Sequence, residues 1–320
     1  MKISVVLTTY NGEKFLNHLL ESVYSQSIAI DEVLIFDDCS TDSTVYLIKN
    51  FISNKKLNDK WRVVVNEENK GYEKNFFDAI SKAIGDIIFF CDQDDVWKKN
   101  KVEICRDLFL EKADINLLCT NNDFLIQNTD KTRKNPCIVS KMSQQGEINH
   151  IQFSQKNFKL GRPGCDMAVR RIFFSEISKY WIAGWAQDEF VWKFGFVTDS
   201  IYIINIIGIT RRIHDENTAH KEGVNKYRNR KGRVKHLESN INEFNSLIKF
   251  CRINKIEERR VKIIEKNIEY LRLRIKFIET RNPIVFLILF VKYFRFYSRK
   301  MGFVLDFMVT YLGESICKKF

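Results

Sequence analysis

Proline is scarce in this chain, with three in 320 residues, and no tract is of low complexity. Little of it therefore reads as linker or disordered tail. Internal repeats are absent, which excludes solenoids and propellers. Eight cysteines, at positions 39, 91, 105, 119, 137, 165, 251 and 317, include no C-x-x-C pair. That spacing argues against a disulfide framework or a zinc site, and the thiols read as small core hydrophobes in a reducing compartment. No apolar run reaches the roughly 18–20 residues needed to span a bilayer. The longest, IVFLILFV from Ile284 to Val291, stops far short. MKISVVLTTY turns polar too soon for a signal peptide and reads as a first strand.

Acid is scarce in the last third. From Lys221 onward there are 24 Lys+Arg against 10 Asp+Glu, a net of +14, while residues 1–220 carry −2. A near-neutral front therefore precedes a basic region suited to phosphate-bearing partners. No nucleic-acid module accompanies the charge, so nucleic acid is not the expected partner.

What is present in the front is alternation. Ile3–Leu7, Glu32–Phe36, Arg62–Val65, Ile87–Phe90 and Ile115–Cys119 are short β-branched or aromatic runs bounded by Asn, Gly, Asp and Lys, and are predicted strands. Between them Glu13–Gln26, Ser43–Ser53, Tyr72–Ala83 and Lys98–Glu111 space apolar residues as helices do. Such alternation means βαβ units and a mainly parallel sheet, which binds ligands at the carboxyl ends of its strands. Residues 129–162 lose the pattern and read as an irregular region over the sheet's mouth. Helices are predicted over Ile172–Tyr180 and Ala186–Phe196, with one or two strands over Ser200–Arg212. Beyond Gly223 the sequence is helical and basic, with Pro283 a break.

The strand ends carry the chemistry. They read TTYNGE (Thr8–Glu13), FDDCSTDST (Phe36–Thr44) and CDQDD (Cys91–Asp95). A strand-end carboxylate can accept from a ribose hydroxyl or a pyrimidine imide, and a Tyr ring can stack on a base. Two carboxylates one residue apart can straddle a divalent cation, for which hard oxygen ligands suit Mg²⁺ or Mn²⁺.

ISVVLTTYNGEKFL, VLIFDDCSTDST and NKGYEKNFFDAISKAIGDIIFFCDQDDVWKKNK together resemble the family 2 inverting glycosyltransferases, and their spelling is nearest the rhamnosyltransferase-like bacterial branch. The resemblance is strong over Ile3–Lys101 and looser to His214. It implies an α/β fold of GT-A type, a single domain binding a nucleotide diphospho-sugar. The catalytic domain is expected over residues 1–222 and the basic helical region over 223–320. By position, Thr8, Tyr10, Asp38 and its neighbour Asp37 would hold the nucleobase, with Glu13 nearby. Asp92 would face ribose or metal, Asp94 would ligate the metal, and Asp95 could assist either.

GWAQDEFVWKFG (Gly184–Gly195) matches the family's general base at a helix start, on Asp188 with Glu189 as rival. An acid there is also stabilised by the helix dipole without any catalytic role. GRPGCDMAVRR (Gly161–Arg171) resembles the acceptor-side turn, where Gly164 would let the backbone approach a sugar, and a tight turn without a ligand is the plain alternative. RRIHDENTAH (Arg211–His220) resembles the family's R-x-H segment, with Arg212 and His214 facing the diphosphate and Asn217 following. The implied enzyme transfers a sugar from a dTDP- or UDP-sugar to a glycan acceptor, plausibly lipid-linked, in surface polysaccharide synthesis, with rhamnose favoured. It would work in the cytoplasm, peripherally on the inner membrane surface through its basic helices. A packed helical subdomain is the other reading of those helices. A sugar-nucleotide nucleotidyltransferase and a non-catalytic nucleotide- or membrane-binding scaffold are the rival functions.

Overall fold

Unbroken apolar runs such as VVL and IIFF suit strands covered on both faces, as parallel strands in an α/β layer are. In the computed structural model, which describes residues 1–126, 144–155, 158, 161–214, 229–297 and 300–312, these runs form β1 (Ile3–Thr9), β2 (Glu32–Asp37), β3 (Trp61–Val65) and β4 (Ile87–Asp92). They pair in parallel in the order β3-β2-β1-β4. The connecting helices are α1 (Glu13–Tyr24), α2 (Thr44–Asn54) and α3 (Tyr72–Lys82). Each presents apolar residues at helical spacing, such as Leu16, Leu19, Leu20 and Val23 of α1, all of which are buried.

Beyond β4 the sheet becomes mixed. The short β5 (Val96–Trp97) leads into α4 (Lys101–Glu111), followed by β6 (Leu117–Ile126), β7 (Ile148–His150), β8 (Met167–Arg170), α5 (Arg171–Ile177), α6 (Gln187–Val197) and β9 (Ile201–Ile213). β8 inserts antiparallel between β4 and β6, and β6 runs parallel to β9. β9 is one long strand. The fifth predicted strand is longer than its apolar run, since β6 continues through Thr120, Asn121, Asn122 and Asp123 with register shifts against β9. Pairing with a long neighbour outweighs the weak strand propensity of Asn and Asp. Most of the expected irregular stretch lies outside the described residues, and within it β7 pairs with β9.

Contacts divide the chain into one unit over residues 1–213 and a second over 214–320. Within the second, α7 (Arg230–Ile253) and α8 (Glu258–Thr280) form a hairpin. Arg281, at φ +57, ends α8, and Asn282 caps α9 (Pro283–Tyr293) by accepting from the Ile284 N–H at 2.8 Å. α10 (Lys300–Tyr311) follows.

Asp306 stitches these helices together. Its buried carboxylate accepts from Arg233 Nε (2.9 Å), from Arg274 Nε (2.7 Å) and Nη2 (3.0 Å), and from the Tyr297 hydroxyl (2.8 Å). Burial alone would raise the Asp306 pKa, but Arg274 and Arg233 outweigh it and hold the carboxyl below its ordinary value. A carboxylate depressed in the folded state stabilises the fold above its unfolded pKa of about 3.9, and that contribution is lost as pH falls through the folded value. Asp306→Ala leaves two buried guanidiniums without their anion and is expected to cost about 3–5 kcal/mol. Hydrogen exchange at pH 7 would show it as lost protection of α7, α8 and α10, and unchanged protection would refute the assignment.

Candidate active site

The ends of β1, β2 and β4 meet because of register. Thr8 lies opposite Phe36 on one side and Asp92 on the other, and Thr9 lies opposite Asp37. The Thr9 hydroxyl donates to Asp37 at 2.7 Å, and Ser40 adds its N–H (2.8 Å) and hydroxyl (2.6 Å) to the same buried carboxylate. Asp38 accepts from Asn66 (2.9 Å) and from the backbone N–H groups of Lys70 (2.8 Å) and Gly71 (2.9 Å). Both acids thus shape loops. With three donors each, little acceptor capacity remains for a ligand. Glu13 is exposed and accepts from the Ser43 N–H at 2.9 Å, at the start of α2.

Gln93, between the acids, clips β4 to β1. It accepts from the Tyr10 N–H (2.9 Å) and donates to the Tyr10 carbonyl (3.1 Å), while Tyr10 itself stays 48% exposed. A Cβ on Gly12 would stand 2.3 Å from Gln93 Oε1, so a larger residue there must push this side chain out of its clip.

Asp92, Asp94 and Asp95 follow within four residues. Asp95 is buried, its Oδ1 accepts from the Arg212 N–H at 3.2 Å, and its Oδ2 has no partner. Burial and then the neighbouring Asp94 raise the Asp92 pKa to about 6, and burial with Asp94 and Asp92 raises that of Asp95 well above the ordinary range. One ligand atom each from Asp92, Asp95 and Cys165 lies within 4.8 Å of the others. Burial raises the Cys165 pKa well above its ordinary value, so the thiol stays protonated and the oxygens are the useful donors. An orphaned buried oxygen among mutually repelling carboxylates fits a hard divalent cation.

Two cations serve this cluster that sequence reasoning missed. Arg211 faces Asp95, Asp92 and Asp166, whose fields sustain its charge against the cost of burial. Lys101, fully buried, donates to the Cys165 carbonyl at 2.7 Å and sits 3.8 Å over the Trp97 ring. Asp166 was missed as well. It is buried, accepts from Asn122, and is pushed up to about 6 by burial. The predicted Arg212 lies on the opposite side of β9 from Arg211. Its Nε donates to the Asp94 carbonyl at 3.1 Å, and its guanidinium lies 4.7 Å from the Phe15 ring centroid. His214 follows β9 directly and is partly exposed, and Asn217 lies outside the described residues. Alternation along β9 could have separated Arg211 from Arg212 only once its register was known.

Asp188 and Glu189 open α6 and part company there. Glu189 pairs with Lys193 at 2.7 Å. Asp188 accepts from the Glu189 N–H at 2.7 Å, and burial raises its pKa to about 7. Gly164 abuts this turn, and a Cβ on it would come within 3.3 Å of the Asp188 Cβ. The Asp92 charge reaches Asp188 and helps to raise its pKa, which ties the α6 start to the acid cluster. A concavity of about 760 Å³ beside β3 is lined by Trp61, Arg62 and Lys82 and holds none of these groups. The converging acids, not cavity size, mark the site.

The model of the glycosyl transferase family 2 matches residues 4–178, more than half of the chain. The chain belongs to that family. Among curated relatives, a putative teichuronic acid biosynthesis glycosyltransferase, TuaG of Bacillus subtilis, is 33% identical over 111 residues, covering 35% of this chain and 43% of TuaG. The dTDP-rhamnosyl transferase RfbG of Shigella flexneri is 28% identical over 180 residues, covering 54% of this chain and 57% of RfbG. The matches thus span less than two thirds of either relative. The crystal structure of residues 1–349 of Staphylococcus aureus TarS with UDP-GlcNAc aligns over 100% of this chain and 92% of that one, with a TM-score of 0.62 at 19% identity. That likeness establishes the GT-A type of α/β fold.

Arg211→Met would remove a positive neighbour from Asp92, so the Asp92 pKa should move above about 6. Carboxyl-carbon NMR titration reads this directly, and an unmoved Asp92 would show that Arg211 does not serve the cluster.

Proposed function

We propose that the protein is a metal-dependent inverting glycosyltransferase, moving a sugar from a nucleotide diphospho-sugar to a hydroxyl of a glycan acceptor. The observation that carries this reading is the pair at the start of α6, where Asp188 is a carboxyl raised to about 7 and electrostatically tied to the acids of β4, while its neighbour is spent on Lys193. A general base works best with a pKa near the operating pH.

Tyr10 would stack on the base, with Thr8 and the remaining acceptor capacity of Asp38 beside it and Asp37 and Glu13 holding the loops. Asp92 and Asp94, assisted by the unpartnered Asp95 Oδ2, would hold Mg²⁺ or Mn²⁺. What such a cation supplies when bound is positive charge for the two phosphates. Arg211 adds a fixed cation on the same side, and Arg212 and His214 complete the end of β9. Asp188 takes the proton of the acceptor hydroxyl as its oxygen attacks the anomeric carbon. The bond from that carbon to the diphosphate breaks in line, the electron pair leaves with the nucleoside diphosphate, and the configuration inverts. Gly164 keeps the wall beside Asp188 thin enough for an acceptor sugar.

The name of TuaG supports a role in surface polysaccharide synthesis, and that of RfbG supports rhamnose from a dTDP donor. A UDP-sugar is the alternative donor, since a carboxylate acceptor suits either pyrimidine imide. The acceptor would be a growing, lipid-linked glycan. Residues 1–222 would form the catalytic domain.

Asp188→Asn should lower kcat by about 10²–10⁴-fold while leaving nucleotide affinity unchanged. The wild-type rate should rise with pH through about 7, because only the carboxylate accepts a proton. Full activity in the Asn variant would sink the base assignment. In calorimetry with UDP and dTDP, binding should require Mg²⁺ or Mn²⁺, vanish with EDTA, and be lost in Asp94→Ala. Absence of binding to either nucleotide under every metal condition would favour a non-catalytic scaffold.

A further inference from the structure

α9 is apolar on every side until its last turn. Val285, Leu289 and Tyr293 fill its inner face, yet Ile284, Leu287 and Val291, spaced as one outer stripe, remain exposed, Ile284 at 67% and Val291 at 71%. A helix that is apolar all round belongs either in a protein core or in lipid. Eleven residues span about 16 Å, half of the roughly 30 Å of hydrocarbon in a bilayer, and no described helix is long and apolar enough to cross one.

α10 continues the surface. Val304, Phe307 and Tyr311 form an exposed stripe, and Phe303 packs against Phe286 (4.8 Å) and Phe290 (5.8 Å), joining the two helices along an aromatic seam whose Phe290 and Phe307 rings reach solvent. Charge identifies the occupant. Among the described residues from Arg281 to Leu312, the exposed ionic side chains are Arg281, Lys292, Arg295 and Lys300, all basic. The sole acid in that stretch, Asp306, is buried and bound to Arg233 and Arg274. A second protein copy would bring the same cations against each other, whereas an anionic lipid leaflet supplies both the apolar layer and the opposite charge.

We propose that α9 and α10 form an in-plane docking face for an anionic membrane surface, with Ile284, Leu287, Phe290 and Val291 entering the acyl boundary and Lys292, Arg295 and Lys300 meeting the headgroups. This rests on the second unit alone and stands or falls separately from the reaction.

The test is sedimentation of the full-length protein with vesicles of phosphatidylcholine, with and without about one-third phosphatidylglycerol. The wild type should bind the anionic vesicles at least about tenfold more tightly than the neutral ones, and should release them in about 0.5 M salt. Leu287→Glu with Val291→Glu should lose about tenfold or more of that binding. Lys292→Glu with Arg295→Glu, which leaves the apolar stripe intact, should abolish the preference for anionic lipid. Far-UV circular dichroism and the thermal unfolding midpoint serve as the folding control for each variant. Equal binding of the wild type to both vesicle types, or vesicle binding unchanged in both variants, overturns the proposal. So does a wild type that ignores vesicles but is dimeric by light scattering and becomes monomeric in the Glu variants, since a second copy would then cover the face.

Discussion

Three carboxylates at the end of a fully buried strand are the constraint around which the first unit is arranged. Burial and the neighbouring carboxylates both oppose ionisation of Asp92 and Asp95, whose raised values show the cost. The surroundings answer with positive charge drawn from distant parts of the chain, Lys101 from α4 and Arg211 from β9. Gln93 ties the acid-bearing turn to the end of β1 through two hydrogen bonds. A site held under such electrostatic tension is one that a cation would relieve, as the proposed function requires.

The loops at the ends of β1 and β2 follow a related logic. Asp37 and Asp38 sit where a nucleobase is expected, yet each is first a loop organiser with three protein donors. A carboxylate so immobilised presents any remaining lone pair in a fixed direction, which is what discrimination between bases requires. Organisation and recognition are therefore compatible on one side chain. The second unit uses its one carboxylate between Arg281 and Leu312 differently. Asp306 is wholly internal, and by withdrawing from the surface it leaves the outer face of α9 and α10 uniformly apolar and basic.

Much of this was legible in the chain. Short apolar runs alternating with amphipathic stretches specify β1 to β4 and α1 to α3, because strand and helix periodicities are local properties of sequence. The motifs at the strand ends led to the family and to Asp92 and Asp94 as candidates, and the helix-start match led to Asp188. The second half of the sheet was less legible. β8 inserts antiparallel between β4 and β6, and β6 extends through Asn121, Asn122 and Asp123, since partners far apart in sequence decide pairing there.

What the sequence by itself determined is the menu: an α/β layer, acids at its carboxyl edge, and a basic helical region. Tertiary structure decided among neighbours that composition cannot rank. It turned Arg211 toward the acids and Arg212 toward Phe15, and it gave Glu189 to Lys193 while leaving Asp188 a raised carboxyl. It also brought Lys101, Cys165 and Asp166 into one cluster from separate segments. The physical reason is that propensity and periodicity act over a few residues, whereas side-chain direction, burial and the field from other charges depend on register between strands far apart in the chain.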